Sequence, residues 1–141
     1  MDEIVATAGV VVLDGDQVLL IEHGEGAGHI TGAWGIPAGA IDSGETSRAT
    51  AVRELAEETG LRVDAGVLVE LPTVYEARIR RKTGWGRFSV RVFATDRYEG
   101  EVTPSEEGAP TWISVDEVAR LQPLIANTEK IVRAAVRLLN R

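Results

Sequence analysis

Four glutamates, Glu45, Glu54, Glu57 and Glu58, fall within "GETSRATAVRELAEETGL", residues 44–61, with Arg53 directly beside Glu54. Like charges three and four apart on a helix repel by a few tenths of a kcal/mol per pair, so this spacing calls for an offsetting positive partner or for water. A solvated helix face normally interleaves lysines, and this stretch has none. Hard cations such as Mg²⁺ take oxygen ligands, usually one or two carboxylates completed by substrate phosphates. Carboxylates at i, i+3 and i+4 are a sensible half-site for such an ion, and a plain solvated face is the competing reading.

Positioning those carboxylates requires a helix. At 100° per residue with Val52 at 0°, Leu55, Ala56 and Thr59 fall within about 60° of it, while Glu54, Glu57 and Glu58 fall near about 200°, 140° and 240°. The pattern predicts a helix from about Thr46 to Thr59, with Thr46 or Ser43 as N-cap and Gly60 as a left-handed C-cap. Its small apolar side would pack on a sheet and its three glutamates would share the opposite face. Upstream, "ATAGVVVLDGDQVLLIEHG" reads as two strands turning at Asp14-Gly15-Asp16. "EGAGHITGAWGIPAGAIDSGE" is glycine-rich and irregular, with a short strand at Trp34–Ile36. Residues 61–80, 87–99 and 109–115 read as β-segments, with Thr83-Gly84-Trp85-Gly86 turning the first into the second. "NTEKIVRAAVRLLN" closes the chain as an amphipathic helix with Ile131, Ala135, Leu138 and Leu139 on one face. No repeat or linker interrupts this order, which predicts one mixed α/β domain over residues 1–141.

Composition narrows the function. The 141 residues are 44% hydrophobic and carry a net charge of −7, which argues against a nucleic-acid polymer as partner. The same charge means that an anionic ligand needs local cations or a bound metal. Apolar runs are too short to span a membrane. The absence of cysteine removes disulfide and thiol chemistry, and with the lack of a basic-apolar leader it fits a cytoplasmic protein.

Gly39, five residues, Glu45, seven residues, then Arg53-Glu54-Leu55-Ala56-Glu57-Glu58-Thr59-Gly60-Leu61 matches the Nudix box, G-x5-E-x7-R-E-U-x-E-E-x-G-U with U bulky and aliphatic, at every position. Seven fixed letters at about 6% usage each give a chance match on the order of 10⁻⁹ per window. The chain therefore resembles the Nudix family, and the order of its flanking elements does so too. The resemblance implies an α/β/α sandwich with a mixed sheet. It also implies hydrolysis of a diphosphate linked to another group, dependent on Mg²⁺ with Mn²⁺ as a substitute. By the same resemblance Glu57 and Glu58 are the principal metal ligands, joined by Glu54 and the main-chain carbonyl of Ala38 beside Gly39. Glu45 is an outer or orienting residue, and Arg53 holds Glu54 or Glu45 through a bidentate pair. Family members draw the general base from the box or from a later loop, and Glu107 in "TPSEEGAPTW" is favoured over Glu106 because its setting is similar to that of MutT-like members. Both also read as a charged surface turn.

Other residues carry weaker signals. Asn127 after Ala126 matches the asparagine that reads an oxidised purine in MutT-like members, and N-capping of the last helix explains it equally. Trp34 reads as core packing or as part of a base pocket. The cluster Arg78, Arg80, Arg81, Lys82 and Arg87 reads as a solvated edge, with a phosphate contact through Arg78 or a partner-subunit contact in a homodimer as the functional readings. His23 and His29 read as solvated loop histidines. A nucleoside triphosphate, cut to the monophosphate and pyrophosphate, is the expected substrate. ADP-ribose, nucleotide sugars, dinucleoside polyphosphates and a non-catalytic nucleotide-sensing module are the alternatives.

Overall fold

The run Ala8 to Leu13 contains no polar side chain, and a strand with that reading must be covered on both faces. A computed structural model of the protein, describing residues 3–140, shows how. Strand β1 (Ile4–Asp14) sits inside a seven-stranded mixed sheet with β2 (Gln17–His23), β3 (Trp34–Gly35), β4 (Ala38–Ala40), β5 (Val69–Arg81), β6 (Gly84–Thr95) and β7 (Gly108–Ser114). The main path runs β3-β2-β1-β6-β5, with β4 paired to β1 and β7 to β2. Strands β1 and β6 are parallel, with Ile4 opposite Arg87 and Val12 opposite Thr95.

Alternation along β1 divides the core. Ala8, Val10 and Val12 join Leu19, Ala51, Leu55, Leu61 and Phe93 beneath helix α1 (Ser47–Thr59). Val11 and Leu13 join Val18, Leu20, Tyr75, Val92, Ile131 and Ala135 beneath helix α2 (Thr128–Leu138). One helix on each face gives the α/β/α arrangement.

Helix α1 begins and ends on sequence signals. The Thr46 side chain accepts the Ala49 N–H at 3.0 Å, and Gly60 takes φ 84° while its N–H donates to the Ala56 carbonyl. A Cβ at Gly60 would also press on Thr103 Oγ1, so the position is closed to other residues twice over. Its buried arc, however, is centred on Ala51 and Leu55 and includes Glu58, whereas Ala56 is exposed. The expected single glutamate face is therefore split.

Three further expectations are corrected. Strand β5 starts only at Val69, because residues 65–67 form a 3₁₀ turn capped by Asp64. The β5–β6 turn is Lys82-Thr83, and Trp85 and Gly86 already pair with Arg80 and Ile79. Helix α2 ends at Leu138, which is exposed, and buries Val132 with Ile131 and Ala135 instead.

Candidate active site

Strand β4 brings Ala38 and Gly39 against the middle of β1, with Ala8 opposite Gly39, and α1 runs alongside. Gly39 lies tight against Glu54, and a Cβ there would push the Glu54 carboxylate from its place. The Ala38 N–H donates to Glu58 Oε1 at 2.9 Å, fixing a side chain that is only 6% exposed. Glu54 and Glu58 thus lie side by side at the floor of a cleft of about 530 Å³.

Glu107 lines the same cleft from the loop before β7. Ser105 sets that loop: its hydroxyl donates to the Glu58 carbonyl at 3.0 Å and accepts the Glu107 N–H at 3.1 Å. The Gly24 N–H donates to the Glu107 carbonyl, tying the loop to the glycine-rich segment. Glu106 is exposed and outside the cleft.

Burial, the adjoining Glu54 carboxylate and the charge of Glu107 together push the Glu58 carboxyl well above the usual carboxylate range. Burial raises Glu107 too, opposed by Arg81. Three carboxylates facing one space, two of them resisting ionisation, are an electrostatic deficit that a cation would relieve. The donors are all oxygen, which suits a hard divalent ion. Among the described residues no set of three acidic or histidine side chains is already closed around an ion position, so ligation would require side-chain adjustment.

Arg53 organises the outer side of α1. Its Nε and Nη2 donate to both Glu45 oxygens at 2.8 and 2.9 Å, and Nη1 donates to Glu54 Oε1 at 2.9 Å. Glu45 also accepts the Thr50 hydroxyl, and the Arg53 and Thr50 bonds hold its pKa down to about 2. Glu57 departs from expectation. Its side chain is 59% exposed, stands outside the cleft and meets Arg53 Nη1 at 3.3 Å.

The cleft is also lined by Tyr75, Phe88, Ile125, Ile131 and Asn127. Asn127 does not cap α2 with its side chain; it adopts φ 72° and directs Nδ2 to the Glu76 carbonyl at 3.4 Å. Trp34 and Arg78 lie outside the lining. Trp34 packs on the core beneath α2, where its backbone bonds Pro123 and Ile125, and Arg78 stacks on Trp85. The histidines are not solvated. His23 is 4% exposed with Nδ1 against the Ala33 carbonyl, and its Nε2 lies 3.5 Å from Glu107. His29 lines the cleft 4.6 Å from the His23 ring, and burial, with the His23 and Arg81 charges, lowers its pKa to about 3. Ser105, His23 and His29 carry no local signal as site residues, because what places them is contact between distant segments: Ser105 with Glu58, His23 with Glu107 and His29 with Arg81.

The NUDIX domain family matches residues 4–135. An oxidized purine nucleoside triphosphate hydrolase of Danio rerio is 33% identical over 77% of this chain and 65% of its own length. A putative 8-oxo-dGTP diphosphatase 3 of Mycobacterium tuberculosis is 36% identical over 77% of this chain and 49% of its own. The chain thus spans 65% of the first relative's length and 49% of the second's. A MutT protein from Methanosarcina mazei superposes with TM-score 0.80 at 18% identity, covering 99% and 98% of the two chains, which supports the fold. With Glu54 and Glu58 of the box side by side in one cleft and the family matched over residues 4–135, the chain belongs to the Nudix family.

Proposed function

We propose that the protein is a divalent-cation-dependent pyrophosphohydrolase that converts a nucleoside triphosphate, oxidised purines included, to the monophosphate and pyrophosphate. The observation carrying this reading is the convergence of Glu54, Glu58 and Glu107 in a cleft that also offers aromatic and aliphatic walls and Asn127. Similarity to proteins named for oxidised purine triphosphates supports the choice of substrate.

Mg²⁺, or Mn²⁺ in its place, would be held by Glu54, Glu58 and the main chain at Ala38, with Glu57 leaving Arg53 to join them and Glu107 facing from the loop. Such an ion supplies charge neutralisation on the phosphate oxygens and acidifies a bound water. Arg53 keeps Glu54 oriented by anchoring on Glu45. Glu107 accepts the proton of the attacking water. The water oxygen bonds to the α-phosphorus, the P–O bond to the α–β bridging oxygen breaks, and its electron pair leaves with the departing pyrophosphate. Asn127 reads the base edge, where an unmatched analogue would leave buried polar groups unpaired.

The test is a hydrolysis screen with Mg²⁺ against nucleoside triphosphates, ADP-ribose, nucleotide sugars and dinucleoside polyphosphates, followed by kcat/KM for an oxidised guanine triphosphate and its normal counterpart. We expect the oxidised nucleotide to be preferred and Asn127→Ala to erode that preference. A wild type that treats both alike or prefers ADP-ribose overturns the substrate assignment. Tight binding without turnover would overturn the enzymatic reading in favour of a nucleotide sensor.

A further inference from the structure

Strand β5 alternates its side chains, so Tyr75, Ala77, Ile79 and Arg81 line the cleft while Arg78 and Arg80 do not. Arg81 is thus the guanidinium of the basic hairpin that enters the site. It packs against Gly28, where a Cβ would overlap Nη2, and lies 5.5 Å from the centre of the Phe88 ring. The hairpin tip is locked in place by its neighbour: the Lys82 ammonium donates to the Gly24 and Glu25 carbonyls at 3.1 and 2.7 Å, and the Lys82 N–H donates to the Gly28 carbonyl at 3.0 Å. Lys82 is therefore engaged. Among the described residues no carboxylate stands within ion-pairing distance of Arg81 and no hydrogen bond engages its guanidinium, although its charge is felt by Glu107, His23 and His29.

A guanidinium held rigid by a glycine shelf and an aromatic ring, with its donors unsatisfied, is a fork for a planar pair of anionic oxygens. We propose that Arg81 is the terminal-phosphate subsite of the cleft, gripping the phosphates that leave as pyrophosphate while the nucleoside lies towards Asn127. The assignment rests on the triphosphate reading above and deepens it. A sugar-linked diphosphate ends in neutral hydroxyls where a triphosphate ends in an anion, so Arg81 would select between them.

Two measurements test this. The first is calorimetric titration of inorganic pyrophosphate with Mg²⁺ present into the wild type, Arg81→Ala, Arg81→Lys and Arg87→Ala, the last removing an exposed hairpin charge outside the cleft. The second is kcat and KM of the same proteins on a nucleoside triphosphate and on ADP-ribose. Arg81→Ala should weaken pyrophosphate binding by about 10-fold or more and raise KM for the triphosphate by a similar factor, the scale of a charged hydrogen bond. Arg81→Lys should recover part of both, Arg87→Ala should change neither, and any ADP-ribose turnover should be spared. Equal pyrophosphate affinity in wild type and Arg81→Ala, or an equal loss in Arg87→Ala, overturns the subsite. A wild type inert towards triphosphates overturns the functional reading alone, and the pyrophosphate titration still decides the role of Arg81.

Discussion

Burial and the neighbouring Glu54 and Glu107 charges oppose ionisation of Glu58, so at neutral pH without metal the native state bears a penalty that the unfolded chain lacks. Glu58→Gln removes it. The variant should melt no lower than the wild type in chelator, and higher if the carboxylate is as crowded as its surroundings indicate, while kcat falls by about 10²-fold or more. A thermal scan in EDTA beside a turnover assay checks both signs, and activity near wild type would remove Glu58 from the catalytic set. Glu45 behaves oppositely. Its pKa is lowered to about 2, so its bond to Arg53 stabilises the fold above the ordinary glutamate pKa of 4.5 and is lost as pH falls through about 2. Glu45→Gln should therefore lower Tm at neutral pH and lose less Tm between pH 5 and pH 2 than the wild type does. At the loop, Glu107→Gln should reduce kcat at least about 10-fold, the lower end of acid-base contributions being larger still. Glu106→Gln, on the exposed neighbour, should leave kcat within about twofold.

Helix α1 was legible from its ends. Thr46 and Gly60 are local devices, and Gly60→Ala should destabilise by about 1–3 kcal/mol through its left-handed backbone, read from denaturant midpoints at unchanged m. Its rotational phase was less legible. A wheel gives angles between residues but not which angle meets the sheet, and α1 packs off-centre over β1, β4, β6 and β7, turning Glu58 inward and Ala56 outward. Hairpins followed the same division. Asp14-Gly15-Asp16 named its own turn, while the Thr83–Gly86 stretch hid strand residues because Gly84 and Gly86 resemble turn residues in isolation. Asn127 stood where an N-cap belongs, yet its side chain reaches Glu76, 51 positions away. The box glutamates could be read as a set from their spacing; Ser105 and the histidines around them come from distant segments with no local pattern, and Arg81 was visible only as one of a basic cluster, without the strand alternation that turns it into the cleft.

For the molecule as a whole, the proposed cation site would link ion binding to folding, because an ion held by the native cleft and not by the unfolded chain stabilises by mass action. At a hundredfold excess over its Kd, Mg²⁺ should add about 2.7 kcal/mol, visible as several degrees of Tm that vanish in Glu58→Gln; an equal shift in both proteins would place the ion elsewhere. The parallel pairing of β1 with β6 has a consequence of another kind. Residues 4–12 lie beside residues 87–95, and the Thr7 hydroxyl donates to Ser89 across 82 positions, so a long loop must close before β1 is enclosed. The β5–β6 hairpin and the β1–β2 turn need no such closure and can form within microseconds. Strand β4 leans on β1, and Ala38 and Gly39 with it, so the carboxylate cleft is assembled on the slow side of this divide. In a stopped-flow refolding experiment, sheet signal should precede the recovery of catalytic competence, and a chain still emerging from the ribosome would hold its helix of glutamates before it had any site to complete.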